Sequence, residues 1–151
     1  MAKIMVVLVS LITMLGCRSE DRIVSFSLSR SDGRRSHYSY NISETKDGKV
    51  HFHFKQSYHD EEIEYYTDDH SVFDAIDRIV RKRHMRWYRS NYRPLAKYLD
   101  GHSWSLYVEY ASGKEISSGG YMAGPLNWGK AQKELLECLD GWKKQPEETR
   151  D

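Results

Sequence analysis

The chain has 151 residues, of which 39% are hydrophobic, 30% charged and 13% aromatic. This length suits one domain, because a second core would leave both units too small, and the aromatic content excludes a disordered chain. The formal net charge of +1 creates no global field that attracts nucleic acid, but net charge alone does not identify partners.

The N-terminus has the pattern of a secretory signal. Lys3 precedes an apolar run over residues 4–15, and the small residue Gly16 comes directly before Cys17. The run is too short for a transmembrane helix, which needs ~20 apolar residues. We therefore expect residues 1–16 to be a signal peptide and the mature protein to be exported. Because of this export signal, we expect no nucleic-acid partner.

The sequence MLGC at residues 14–17 resembles the lipobox of bacterial lipoproteins. The resemblance implies that Cys17 is acylated, becomes the new N-terminus and holds the protein on a membrane of the cell envelope. The acidic pair at residues 20–21 also resembles the export tags of surface lipoproteins in the Bacteroides group, which implies the outer membrane or the cell surface. The alternative is an ordinary signal peptide whose cysteine is incidental.

The first half of the mature chain has the period of two that is typical of strands. Three alternating runs are separated by turns at residues 31–33 and 46–48, and a fourth, short run spans residues 63–67. This pattern predicts an antiparallel meander. Its predicted core residues are Val24, Phe26, Leu28, Tyr38, Tyr40, Ile42, Val50, Phe52 and Phe54.

A helical period follows over residues 71–84. Asp69 or Ser71 can cap this helix, and the cations at residues 81–83 suit its C-terminal dipole. Because Pro94 disfavours a continuous helix, we expect a turn, a short second helix or both over residues 86–98.

The last third predicts a second hairpin and a second helix. Trp104, Leu106 and Val108 alternate before a turn at residues 112–113, and a return strand spans residues 114–121. Asn127 can then cap a helix. That helix has Trp128, Ala131, Leu135, Leu139 and Trp142 as its apolar positions, with Cys138 among them as a small hydrophobe, and ends at Gly141.

Together these elements predict the α+β class. We expect an antiparallel sheet of about five to six strands in two hairpin or meander sets, with two main helices packed on one face. The expected organisation is a lipidated N-terminus and short tether over residues 17–22, a single domain over residues 23–142 and a polar tail over residues 143–151.

Three features together carry a second resemblance. The turn DGHSW at residues 100–104, the second hairpin and the glycine-containing junction over residues 118–128 resemble small uncharacterised envelope lipoproteins of Bacteroides-type bacteria, over roughly the last third of the chain. This resemblance implies a similar fold and habitat, and it implies no activity.

Three histidines provide a weak metal pattern. His51 and His53 share one strand face, and His37 on the neighbouring strand can face the same way. Neutral imidazoles at that spacing can chelate zinc. The simpler interpretation is that the histidines lie on the solvated face of the strand, because Phe52 and Phe54 occupy its buried face. We expect neither metal nor cofactor.

Histidines also supply acid–base groups for catalysis, which needs a base, an acid or nucleophile and a cavity. The sequence has no nucleophile elbow, no zinc-protease pair and no phosphate loop. The groups that are neighbours in sequence are His102 with Asp100 and Ser103, and His59 with Asp60 and Glu61.

Residues 86–93 place aromatic rings next to guanidinium groups. Trp and Tyr stack on sugars or lie at a bilayer interface, and Arg pairs with carboxylate or phosphate. Alternatively, Trp87 and Tyr92 close the core while the arginines cover it with their apolar stems. The candidate binding surface is Arg86, Trp87, Tyr88, Arg89, Tyr92 and Arg93.

The leading functional hypothesis is a non-catalytic binding or accessory lipoprotein of the cell envelope. Its expected partners are the membrane, through the anchor, and an envelope glycan, lipid or protein. The alternatives are a small envelope hydrolase with a histidine acid–base site and a structural subunit of an envelope complex.

Overall fold

The computed structural model describes residues 21–33, 37–57, 61–97 and 100–143. The signal peptide, Cys17 and most of the predicted polar tail lie outside these residues. Within them the chain forms six strands, two α-helices and one 3₁₀ turn. The elements are β1 (Ile23–Asp32), β2 (His37–Glu44), β3 (Val50–Gln56), β4 (Glu61–Thr67), α1 (Ser71–Lys82), the 3₁₀ turn (Met85–Trp87), β5 (His102–Tyr110), β6 (Glu115–Tyr121) and α2 (Trp128–Asp140).

The described strands form one antiparallel sheet in the order β4-β3-β2-β1-β5-β6. β1 is central, because it pairs with its chain neighbour β2 on one side and with the distant β5 on the other. The predicted α+β class with an antiparallel sheet is therefore confirmed.

Alternate residues of the sheet build the core. Phe26 stands opposite Ile42 of β2 and Val108 of β5, and all three are at most 1% exposed. Phe52 and Phe54 are equally buried, as their alternation predicted. These side chains form a single cluster with the buried residues of both helices, which include Ile76, Val80, Leu135 and Leu139.

One predicted core residue is wrong. The pairing of β1 with β5 shifts register between Ile23 and Ser25, which inserts an extra residue into β1 at Val24. The bulge turns Ile23 into the core, where it is 1% exposed, and leaves Val24 only half-buried. Alternation counted back from Phe26 therefore fails at this point.

Helix α1 begins at Ser71, as predicted, and ends at Lys82, earlier than residue 84. The predicted cap is wrong, because the N-cap residue is His70, without a side-chain capping hydrogen bond, and not Asp69 or Ser71. The Asp69 carboxylate accepts a hydrogen bond from the Ser71 N–H at 2.9 Å, which satisfies one free donor of the first turn. His84 adopts a left-handed backbone conformation with φ of 52°, which an α-helix cannot continue through.

The predicted side-chain cap of α2 is also wrong. Asn127 precedes the helix, but its side chain forms no capping hydrogen bond there. Instead its amide donates to the Arg83 carbonyl oxygen at 2.8 Å, and its side-chain oxygen accepts from the Tyr88 hydroxyl at 2.8 Å. The Asn127 side chain therefore bonds residues that are distant in the sequence, and not the backbone of the first turn of α2.

Two contacts fix α2 on the sheet. The rings of Trp128 and Trp104 stack with centroids 3.8 Å apart, and the Tyr40 hydroxyl donates to Asp140 at 2.5 Å. No helix among the described residues is long and apolar enough to cross a bilayer.

Candidate functional site

Residues 86–93, here called the arginine segment, lie along the free edge of β6. Tyr92 N–H donates to the Gly119 carbonyl oxygen at 2.8 Å, and Gly119 N–H donates to that of Ser90 at 3.1 Å. Tyr121 N–H donates to the Tyr92 carbonyl oxygen at 3.1 Å. These bonds cover an edge that would otherwise offer unpaired backbone groups, and they hold the segment against the sheet.

Close packing at Gly120 supports this arrangement. A Cβ atom there would stand 2.7 Å from the Trp104 indole nitrogen and would collide with the Ala123 carbonyl oxygen. The same indole N–H donates to that carbonyl at 2.8 Å. Only glycine lets β6 approach the tryptophan this closely.

Two residues of the candidate binding surface are structural. Tyr92 is 8% exposed, and its ring centroid is 6.0 Å from that of Trp104. Tyr88 is half-buried with its ring edge on Trp128, and burial, more than the nearby Tyr92, raises its pKa to about 12. The alternative that Tyr92 closes the core is supported by its burial.

Trp87 behaves differently, because its side chain is 72% exposed. The core position below α1 belongs instead to Met85, which is fully buried and which the sequence reasoning missed. The guanidinium carbon of Arg86 lies 5.1 Å from the Trp87 ring centroid, and that of Arg89 lies 4.9 Å from the Tyr92 ring. The exposed indole ring of Trp87 therefore has one guanidinium group beside it, that of Arg86, and the Arg89 guanidinium lies over a different ring.

The arginines of this segment also form no ion pair with any residue that the structure describes. Among the described residues, no carboxylate lies within ion-pair distance of Arg86, Arg89 or Arg93. The basic end of α1 is different, since Arg81 pairs with Asp77 at 2.6 Å and Arg83 pairs with Glu134. The guanidinium donors of the arginine segment are therefore available to an external carboxylate or phosphate.

The point where the chain enters the described fold is close to this segment. Asp21 accepts hydrogen bonds from the backbone N–H of Ser112, at 3.0 Å, and from its hydroxyl. The hydroxyl contact is the main reason why the pKa of Asp21 is lowered. Asp21, Arg86 and Lys114 line one open depression together with His84 and Tyr110.

The three candidate zinc ligands are not brought together. His51 Nε2 lies 2.7 Å from Glu64, and His53 Nε2 lies 2.9 Å from Glu62. His37 is four residues along β2 from Asn41, the partner of His53, which corresponds to ~13 Å in a strand. The described residues hold no group of three ligands that could bind a metal ion.

The candidate acid–base groups are only partly brought together. Asp100 and His102 line one open depression with Arg30 and Asp32, but Ser103 does not line it. His102 begins β5 opposite Asp32, and Ser103 projects to the opposite face because successive strand residues alternate. A histidine and a serine on opposite faces cannot share a substrate. His59 and Asp60 lie outside the described residues.

A serine-rich sheet face is the feature that the sequence reasoning did not single out. Ser27 donates to Asn41 at 2.9 Å, and the hydroxyls of Ser29 and Ser105 are 2.7 Å apart. The signal was visible as serine at every second position of β1, from residue 25 to residue 31.

Comparison with known proteins adds no assignment to this geometry. No protein-family model matches the sequence, and no curated protein matches it.

Proposed function

We propose that the protein is an exported lipoprotein, held on a membrane by lipid on Cys17, whose domain is a non-catalytic binding module of the cell envelope. One observation carries the binding role: an exposed Trp87 and three arginines that have no carboxylate partner within the described part of the chain lie on a segment that is hydrogen-bonded to β6. Binding groups held on a rigid scaffold lose little entropy when a ligand arrives.

The ligand of this module is anionic. Guanidinium groups donate paired hydrogen bonds to carboxylate or phosphate, and an adjacent indole ring adds apolar contact. Acidic glycans and lipid headgroups of the envelope both offer this chemistry. Nucleic acid offers it as well, but an exported protein rarely meets it.

We also infer that the sheet consists of two sets, the meander β1–β4 and the hairpin β5–β6, with both helices on one face. The contact of Tyr110 with Asp77 of α1 at 3.0 Å, and that of Tyr40 with Asp140 of α2, support this. On this arrangement the serine-rich face stays uncovered.

The anchor is tested by a pair of cysteine variants expressed from the full chain in a bacterial host. We expect Cys17→Ala to move the protein from the membrane fraction to the soluble fraction, because the variant has no acyl acceptor. Cys138→Ala is the matched control and should stay on membranes with its acyl mass unchanged. A native protein without added acyl mass would refute the anchor, and turnover of an envelope substrate that disappears in His102→Ala would refute the non-catalytic role.

A further inference from the structure

We propose that the arginine segment faces the bilayer that carries the anchor, and that its ligand is the anionic headgroup surface of that bilayer. This inference rests on the proposed function, since it requires lipid on Cys17. It names the source of the anion and the orientation of the domain.

The first argument is the length of the tether. Residues 17–20 separate the lipidated cysteine from Asp21 and span at most ~14 Å when fully extended. Asp21 is held to Ser112 at the turn between β5 and β6, and it lines the same depression as Arg86. The end of the domain that carries Arg86 therefore stays within reach of the headgroup layer.

The second argument is charge. Two carboxylates at this end are paired with cations, Glu44 with Arg22 and Asp77 with Arg81, and the Lys114 ammonium lies 4.0 Å from Asp21. The arginine segment keeps its cations unpaired among the described residues. Cations held close to a bilayer are attracted by anionic lipid within about a Debye length of its surface.

The third argument is that the chain along the edge of β6 exposes apolar side chains. They favour a membrane over an acidic glycan as the ligand. Trp87 is 72% exposed, and Leu95 is fully exposed between Arg93 and Lys97 in a groove at the Tyr121 end of β6, so exposed apolar side chains occur at two places along this sheet edge. Tryptophan favours the membrane interface, and a leucine flanked by cations suits the boundary between headgroups and acyl chains. A glycan could use the arginines, but Leu95 would gain little from it.

The test uses the purified lipidated full chain in vesicles with brominated acyl chains, which quench tryptophan at the membrane. One set contains phosphatidylcholine alone and the other also contains phosphatidylglycerol. The signal of Trp87 is the difference between the wild type and Trp87→Phe, a variant expected to fold normally because this ring is exposed. We expect Trp87 to be quenched in the anionic vesicles and protected in the neutral ones.

Two double variants test whether the quenching of Trp87 depends on the arginines of this segment. Arg86→Gln with Arg89→Gln should abolish the quenching of Trp87 while the protein stays anchored. Lys55→Gln with Lys133→Gln makes the same change in charge on β3 and α2, outside the segment that covers the β6 edge, and should preserve the quenching. Lys133 lines a depression with Arg30 and Asp32, and Lys55 stands opposite Ser39.

The outcomes separate the two proposals. A protein without acyl mass that does not associate with vesicles would refute the anchor, and the inference with it. An anchored protein whose Trp87 is unquenched in anionic vesicles would overturn the inference alone. Retention on an acidic polysaccharide that depends on Arg86 and Arg89, without any dependence on vesicle charge, would overturn it in favour of a glycan.

Discussion

The β-bulge at the start of β1 decides which of two adjacent apolar side chains reaches the core. Ile23 is 1% exposed, whereas Val24 is half-buried, although both are β-branched and suit a strand equally well. The choice depends on pairing with Tyr110, a residue far along the chain.

This difference predicts unequal effects of two alanine substitutions. We expect Ile23→Ala to lower the free energy of unfolding by ~2–5 kcal/mol, because it leaves a cavity in the core. Val24→Ala should cost less than about 1 kcal/mol, because a half-buried site loses less transfer free energy and leaves no enclosed cavity. Urea denaturation of both variants measures the two values. A loss at Val24 as large as that at Ile23 would contradict the bulge.

Two aromatic side chains of the arginine segment differ sharply in solvent exposure. Tyr92 is buried against Trp104, while Trp87, five residues earlier, is 72% exposed. An indole ring in contact with water is unfavourable in free energy. Contact with a ligand or a partner surface would remove that apolar area from water. Trp87 therefore contributes little packing to the fold, which favours a binding role for its ring.

At the scale of elements, one ion cluster joins the two helices. Glu134 of α2 accepts hydrogen bonds from Lys82 at 3.0 Å and from Arg83 at 3.0 Å. The contact with Arg83, followed by that with Lys82, lowers the pKa of Glu134 from 4.5 to about 2. Because the pKa in the folded protein lies below the ordinary value, this carboxylate stabilises the fold above pH 4.5 and loses that contribution as the pH falls towards 2.

We therefore expect a pH-dependent effect of Glu134→Gln. At neutral pH the variant should melt at a lower temperature than the wild type, and the difference should close between pH 4.5 and pH 2. The control is Glu137→Gln on the same helix, whose contact with Lys133 is 3.8 Å and exposed and should matter little at any pH. A difference at Glu134 that persists in acid would contradict the prediction.

The edge of β6 shows how a segment without regular structure gains a fixed position. The arginine segment contains no long helix or strand, yet three backbone hydrogen bonds and the Ser118 hydroxyl, which donates to the Arg89 carbonyl oxygen at 2.6 Å, attach it to the sheet. Periodicity cannot detect such an attachment, because the partner residues lie about thirty positions away in the sequence.

At the scale of the whole molecule, one core joins both halves of the sheet. The central pairing of β1 with β5 connects strands β1–β4 to strands β5 and β6, and the buried residues of both helices belong to the same cluster. No second core is present within the described residues. A domain with one continuous core is expected to unfold cooperatively, in a single transition.

We therefore predict a single cooperative unfolding transition for the mature chain. Far-UV circular dichroism, which follows the backbone, and fluorescence of the stacked Trp104 and Trp128 should give the same midpoint in urea. Cys17→Ala provides a form without lipid for the measurement. Midpoints that differ between the two probes would show that the hairpin and α2 unfold separately from the meander.

Local patterns in the sequence were sufficient for the strands, the helices and most of the core. Alternation identified Phe26, Phe52 and Trp104, and the helical period identified Ile76 and Leu135, because both periods follow from backbone geometry alone. The proposed anchor at Cys17 likewise rests on a short linear pattern.

Contacts between distant residues decided the rest. They determined the bulge that buries Ile23, the loss of the predicted cap at Asn127, the choice of Met85 over Trp87 for the core and the position of the arginine segment. Each of these depends on which partner reaches a side chain or backbone group after the chain has folded. Local propensity does not encode that competition, so only the tertiary structure brought Arg86 near the point where the tether enters the domain.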